Sequence, residues 1–163
     1  MMKNKKLSRV VLQGLALLSL LLGFQQAAGN PHLAPPVTGT QINFIENSWG
    51  AAQKRARQAH KYIFVDAYAT WCGPCKQLKA TTFRDPKVAD FFNRNFVNLS
   101  LDMEKGEGPT LAETWQVTAY PTLLVIDPLG KVVLRYTGFL KPNDLLMLGE
   151  QALKKGAPKD KKP

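Results

Sequence analysis

The chain has 163 residues, 45% of them hydrophobic, and a formal net charge of +10. This length and composition suit one globular domain with its own core, which does not depend on a disulfide to fold. Four of the surplus positive charges lie in the first ten residues and four in the last ten, without interleaved aromatic residues for stacking on bases. We therefore expect no nucleic-acid partner; a loose attraction of the tail to an anionic membrane surface is an alternative.

Residues 1–29 have the pattern of a secretory signal peptide. A basic start without acids, "MMKNKKLSRV", precedes an apolar run over residues 10–24 and small residues at Ala27 and Gly29. The run is shorter than the ~20 residues of a spanning helix, and Gln13 and Gly14 interrupt it. We expect cleavage near Gly29 and export, to the bacterial periplasm; retention as a membrane anchor is the alternative.

The first part of the exported chain predicts two helices around a strand. Residues 30–41 are rich in proline and glycine and predict an extended linker. A helix is expected from Asn47 or Ser48, which caps it. The apolar run "YIFVDAYA", residues 62–69, is typical of a strand buried on both faces. Another helix is expected after it, running to about Thr82.

The second part continues the alternation. In "DPKVADFFNRNF", Asp85 is expected to cap a helix that begins with Pro86. "FVNLSLD" predicts a strand, "GPTLAETWQV" a short helix, "TLLVID" with "KVVLRYTG" a hairpin, and "NDLLMLGEQALKK" an amphipathic helix. Residues 156–163 predict a basic disordered tail. The order predicts an α/β domain over residues 42–155, with a central mixed β-sheet and helices on both faces.

Both cysteines lie in one short segment, "YATWCGPCKQL". The buried strand ends at about Ala69, which places Cys72 at the exposed start of the next helix, where free amides and the helix dipole favour a thiolate. Cys75 follows one turn later on the same face and can attack a mixed disulfide at Cys72. Pro74 suits the first helical turn, and Gly73 adds no side chain to obstruct a partner.

Two structural explanations for the cysteine pair are weaker. A bridge across three residues closes too small a loop to stabilise the fold appreciably. A closed zinc site needs four ligands, and neither His32 nor His60 is an obvious third. The pair therefore favours redox chemistry without a metal or an organic cofactor.

Three segments carry a resemblance to a known family. "VDAYATWCGPCK" resembles the active-site segment of the thioredoxin family, "VTAYPTLLVID" its cis-proline loop, and "GKVVLRYTGF" its last hairpin strand and glycine. The region before and between them is more similar to the exported thioredoxin-like, disulfide-interchange branch. The resemblance implies the thioredoxin fold and a thiol:disulfide oxidoreductase.

The resemblance also implies roles for individual residues. Cys72 would attack and Cys75 would resolve, while Trp71 would shield the pair and contribute to the substrate surface; a plain packing role for Trp71 is the alternative. The Tyr120–Pro121 bond would be cis, leaving the Tyr120 backbone free to pair with an extended substrate. The expected substrate-binding residues are Trp71, Gly73, Pro74, Tyr120, Pro121 and Gly138.

Asp66 is unusual because it interrupts an apolar run. A buried, unpaired carboxylate is costly and tends to stay protonated, although an outward-facing strand residue is the alternative. The resemblance implies that Asp66 accepts the proton of the Cys75 thiol through water. Asn98 stands where the family often has a lysine partner for this acid, so we expect Asp66 to lack a cation. Tyr68 stands where thioredoxins commonly have tryptophan.

The resemblance favours a monomeric reductase. Its substrates would be disulfide-containing exported proteins, and its electron donor a membrane thiol carrier of the disulfide-interchange type. The alternatives are a disulfide oxidase or isomerase, and a thioredoxin-fold binding module with an idle cysteine pair.

Overall fold

The computed structural model describes residues 39–156. The predicted signal peptide, residues 30–38 of the predicted linker and residues 157–163 of the predicted tail lie outside this range. Within the range, the chain has no helix with the length and apolar character needed to cross a membrane.

Residues 39–156 form five strands and five α-helices. In chain order they are β1 (Phe44–Glu46), α1 (Trp49–Ala59), β2 (Tyr62–Tyr68), α2 (Gly73–Ala80), α3 (Pro86–Asn95), β3 (Phe96–Asp102), α4 (Gly108–Thr114), β4 (Thr122–Ile126), β5 (Val132–Thr137) and α5 (Pro142–Gly156). A 3₁₀ turn, Thr82–Arg84, follows α2. It ends α2 at Ala80, two residues earlier than predicted.

The strands make one mixed sheet in the order β1-β3-β2-β4-β5. Strands β1, β3 and β2 are parallel, whereas β4 runs antiparallel to both β2 and β5. The predicted mixed sheet is therefore confirmed, with β1 as an addition. Strand β1 has only three residues, which is too short for a periodic hydrophobic pattern.

Helices cover both faces of the sheet, and the alternation of β2 explains how. Ile63 and Val65 belong to an apolar cluster that includes Ala52 and Ala56 of α1. Phe64 points to the opposite face, where a second cluster includes residues of α2, α3 and α5. Successive strand residues alternate between faces, so Asp66 lies on the same face as Phe64, the face that α2 covers.

The predicted N-terminal capping is found at helix α3 but not at helix α1. The Asp85 carboxylate accepts hydrogen bonds from the amides of Lys87 and Val88 at 2.9 and 3.1 Å, so the predicted cap of α3 is confirmed. Ser48 occupies the cap position of α1, but its side chain makes no capping hydrogen bond. The Trp49 amide donates instead to the carboxylate of Glu107, which precedes α4.

Candidate active site

The two cysteines form a disulfide at the start of α2. Cys72 is the N-cap residue of this helix, and its Sγ accepts a hydrogen bond from the Cys75 amide at 3.2 Å. Pro74 lies in the first turn, as predicted. Unpaired amides at a helix start stabilise negative charge, so the geometry favours a thiolate on Cys72 once the disulfide is reduced.

The predicted exposure of Cys72 is wrong. Cys72 is 3% exposed and Cys75 only 1%, whereas Gly73 and Pro74 between them are exposed. The two cysteines and Ala69 form a small buried group, the cysteine cluster, and Tyr68 and Tyr120 pack against it and reduce its access to solvent. In this disulfide form, position at the helix start distinguishes the two sulfurs more clearly than exposure does.

Trp71 projects into solvent beside the disulfide. The residue is 67% exposed, which excludes a plain packing role. Its indole Nε1 donates to both carboxylate oxygens of Glu104, at 3.0 and 2.9 Å, and its ring meets that of Tyr120 edge-on at 6.0 Å. Glu104 was not predicted from the sequence, and it holds Trp71 in a defined orientation.

The loop before β4 supplies the other side of the site. The Tyr120–Pro121 peptide bond is cis, and Pro121 is buried. The Gly138 amide donates to the Pro121 carbonyl oxygen at 2.8 Å, which ties the end of β5 to this loop. Gly138 has φ +115°, a backbone conformation that favours glycine. A chain of contacts thus links five residues of the site: Cys72, Trp71, Tyr120, Pro121 and Gly138.

Asp66 is fully buried, so the outward-facing alternative is wrong. Its Oδ2 accepts a hydrogen bond from the Ser100 hydroxyl at 3.1 Å, while Oδ1 has no hydrogen-bond partner among residues 39–156. Burial, the largest cause, raises the pKa of Asp66 to about 6 together with the charge of Glu46, against the opposing effects of Lys79 and Ser100. A carboxyl with such a pKa can take up or release a proton near neutral pH.

The expectation that Asp66 lacks a cationic partner is also wrong. The Lys79 Nζ lies 3.7 Å from Asp66 Oδ2. Asn98 instead donates to the side chain of Asn93 at 3.2 Å, away from the acid. The cation therefore comes from α2, and the spacing of Cys72, Cys75 and Lys79, three and four residues apart on one helical face, was the signal that could have found it.

Within the range that the structure describes, no group of three or more histidine, cysteine, aspartate or glutamate side chains is arranged to hold a metal ion.

Comparison with known proteins identifies the family. Residues 49–153 match the thioredoxin-like domain family. The thiol:disulfide interchange protein DsbD of Haemophilus influenzae (strain PittGG) is 32% identical over 109 residues, which is 64% of this chain and 19% of that protein. The chain thus spans about a fifth of the length of this relative.

Solved structures are also similar to the chain. A putative disulphide-isomerase from Bacteroides thetaiotaomicron is 48% identical with a TM-score of 0.63, covering 70% of this chain and 94% of that one. A thioredoxin from Thermus thermophilus has a TM-score of 0.64 at 23% identity, covers 71% and 92% of the two chains, and supports the fold alone. The match to the family extends over more than half of the chain. The chain therefore belongs to the thioredoxin-like family and has the thioredoxin fold.

Proposed function

We propose that the protein is an exported thiol:disulfide oxidoreductase that reduces disulfides in other exported proteins. The observation that carries this proposal is the Cys72–Cys75 disulfide at the start of α2, next to exposed Trp71 and the Pro121 loop. The relatives named for disulfide interchange support the same chemistry.

The first half of the reaction transfers the partner's sulfur to Cys72. In the reduced protein, the Cys72 thiolate attacks one sulfur of the partner's disulfide. The partner's S–S bond breaks, its second sulfur leaves as a thiolate, and a mixed disulfide forms between the partner and Cys72. The orphan amides at the start of α2 lower the energy of the attacking thiolate.

The second half releases the partner. Asp66, as a carboxylate, accepts the proton of the Cys75 thiol through an intervening water, and the new thiolate attacks Cys72 Sγ. The mixed disulfide breaks, the partner's sulfur leaves as a thiolate and takes up a proton, and the Cys72–Cys75 disulfide remains. Two electrons have passed from this protein to the partner. Asp66 Oδ1, which lacks a hydrogen-bond partner within residues 39–156, is the oxygen available to receive the proton.

The residues between the cysteines support the reducing direction. Strong oxidants stabilise their reduced form specially. Here Gly73 and Pro74 bring no charged or hydrogen-bonding side chain to the Cys72 thiolate, so the helix start is its main stabilising feature. The disulfide state of this protein is then favoured, and electrons flow outward to the substrate.

The exposed surface suits an extended polypeptide substrate. Trp71 and Tyr120 offer aromatic area beside the disulfide, and the small residues Gly73 and Gly138 leave room for a partner backbone. In an oxidising compartment the protein needs a supply of electrons, and a membrane thiol carrier is the class of donor proposed. The signal-like residues 1–29 support export to the periplasm.

Disulfide isomerisation is the second candidate, because the solved structure with 48% identity is that of a putative disulphide-isomerase. An isomerase leaves its substrate with rearranged disulfides, whereas a reductase leaves free thiols. Reactivation of scrambled ribonuclease, compared with net reduction of insulin under the same thiol buffer, separates the two.

Trapping tests the proposed function directly. The Cys75→Ser variant, incubated in reduced form with a disulfide-containing protein, should accumulate a mixed disulfide through Cys72. The matched Cys72→Ser variant should accumulate none, and the wild type should reduce insulin catalytically. Equal trapping by both variants would overturn the assigned roles, and a wild type that does not reduce insulin would overturn the reductase.

A further inference from the structure

Lys79 makes two contacts that no other described lysine combines. Its Nζ lies 3.7 Å from Asp66 Oδ2 and 3.4 Å from the centroid of the Tyr68 ring. The Lys79 side chain is 37% exposed, while that of Asp66 is fully buried. The ammonium group therefore lies at the boundary between solvent and the buried acid, and the aromatic ring attracts the same charge.

Tyr68 gives this lysine a fixed platform. Tyr68 packs against the cysteine cluster and shares a side-chain hydrogen bond with Asn47. Asn47 Oδ1 in turn accepts the Asp102 amide at 2.8 Å, which anchors the network to the end of β3. A lysine side chain is ordinarily mobile, and an anchored ring beneath its ammonium group restricts it to the neighbourhood of Asp66.

Some groups around Asp66 raise its pKa and others lower it. Burial raises the pKa of Asp66, and Glu46 on β1 raises it further, whereas Lys79 on α2 and the Ser100 hydroxyl on β3 lower it. Tyr68 is a further titratable neighbour of Asp66, and its own pKa is raised chiefly by burial. Lys79 is thus the cation that opposes desolvation at this acid.

We propose that Lys79 is a positioning residue that keeps the Asp66 carboxylate ionised near neutral pH and directs its Oδ2, leaving Oδ1 for the Cys75 proton. This inference rests on the proposed role of Asp66 in releasing the substrate. The cation and both cysteines are carried by the same helix, α2, so one rigid element sets their positions relative to the base. Lys79 itself touches neither sulfur in the proposal and acts only through Asp66.

Carboxyl titration of the oxidised protein tests, without any turnover, whether Lys79 keeps Asp66 ionised. The ¹³C carboxyl resonance of Asp66 would be followed against pH in the wild type, Lys79→Met, Lys79→Arg and the matched control Lys76→Met, which removes an exposed charge from the same helix. Loss of an opposite charge at this distance raises an acid's pKa, by about one unit for a half-exposed cation. We expect this upward shift in Lys79→Met, and values close to wild type in the other two variants. An unmoved midpoint in Lys79→Met would overturn the proposal.

The kinetics of substrate release test whether Lys79 acts on the reaction through Asp66. The rate at which Cys75 displaces a substrate from Cys72 would be measured from pH 5 to pH 9 in the same four proteins. A one-unit shift lowers the ionised fraction of Asp66, so Lys79→Met should be about fivefold slower at pH 6 and approach the wild type above pH 8. Lys79→Arg should restore the profile. A loss that is equal at every pH, or a shift that Lys76→Met reproduces, would overturn the positioning role.

The two measurements also separate this inference from the proposed function. If the wild type failed to reduce insulin, the proposed function would fall and the release role with it. The carboxyl titration would still decide whether Lys79 sets the ionisation of Asp66.

Discussion

Two buried aspartates on neighbouring strands have opposite surroundings. Asp66 in β2 is 0% exposed and Asp102 at the end of β3 is 3% exposed. Both Asp102 oxygens have partners, since Oδ1 accepts the Glu104 amide at 3.1 Å and Oδ2 lies 3.5 Å from the Lys105 ammonium group. At Asp66, Ser100 and Lys79 both approach Oδ2, and Oδ1 has no hydrogen-bond partner within residues 39–156.

The difference shows that burial alone does not identify a chemical acid. Both Asp102 oxygens bind groups in the turn that follows β3, so this carboxylate has a structural role. Asp66 keeps one oxygen unpaired beneath the helix that carries the cysteines, at an energetic cost that a structural role does not explain. Unused acceptor capacity on a buried acid is the better marker of function.

The largest expected contrast is in the release of substrate from the mixed disulfide. Asp66→Asn removes the proposed proton acceptor, and loss of such a group slows a step by about 100-fold or more. Asp102→Asn should change the same rate less than about twofold, because its side chain serves the turn. Single-turnover release at pH 7 measures both. Equal slowing by the two substitutions would break the distinction between the acids.

Stability should change in opposite directions for the two acids. Burial raises the pKa of Asp66 from 3.8 to about 6, so its ionised form costs the folded protein about 3 kcal/mol near pH 7. Asp66→Asn should therefore increase the free energy of unfolding by up to about 3 kcal/mol. Asp102→Asn loses the pairing with exposed Lys105 and should reduce it by about 1 kcal/mol at most. Urea unfolding of the oxidised proteins measures both, and destabilisation by Asp66→Asn would contradict the cost assigned to this acid.

The pH dependence of stability should identify Asp66 as its source. The folded protein binds a proton at Asp66 more tightly than the unfolded chain does, because the folded pKa is the higher one. The free energy of unfolding should then fall as pH rises from about 4 to about 6. This contribution should vanish in Asp66→Asn and persist in Asp102→Asn. The free energy of unfolding of both variants would be measured across this pH range. An unchanged slope in Asp66→Asn would show that other groups cause the pH dependence.

The smallest effect is expected from the lysine beside Asp102. The Lys105 side chain is 72% exposed, and exposed ion pairs contribute little to stability. Lys105→Met should change the free energy of unfolding by less than about 0.5 kcal/mol and leave the pH profile of release unaltered, in contrast to Lys79→Met. A shifted release profile in Lys105→Met would extend the charge network beyond Asp66.

Local sequence signals predicted most of the fold and the position of the cysteines. The apolar run of β2, the Asp85 cap and the hairpin of β4 and β5 are short-range patterns, and each was found where expected. The three-residue strand β1 carries no such pattern and was missed.

The environment of the site was harder to predict because it depends on packing between distant elements. The resemblance put the family's lysine position at Asn98 on β3, and its absence there led to the expectation that Asp66 lacks a cation. The register pairs Asp66 with Ser100 and Phe64 with Asn98. The cation comes instead from α2, through a helix-to-sheet contact that no strand pattern encodes. The burial of Cys72 likewise depends on Tyr120, which is remote from it in the sequence.

The direction of electron flow is tested most directly by the reduction potential of the Cys72–Cys75 pair. The protein would be equilibrated with dithiothreitol buffers of known potential, and its free thiols counted by alkylation. For this couple about 30 mV corresponds to a tenfold change in the equilibrium constant, so modest differences are measurable. We predict a value near the thioredoxin end of the range, about −270 mV. A value near about −120 mV, that of a strong exported oxidant, would contradict the reductase and leave the fold in place.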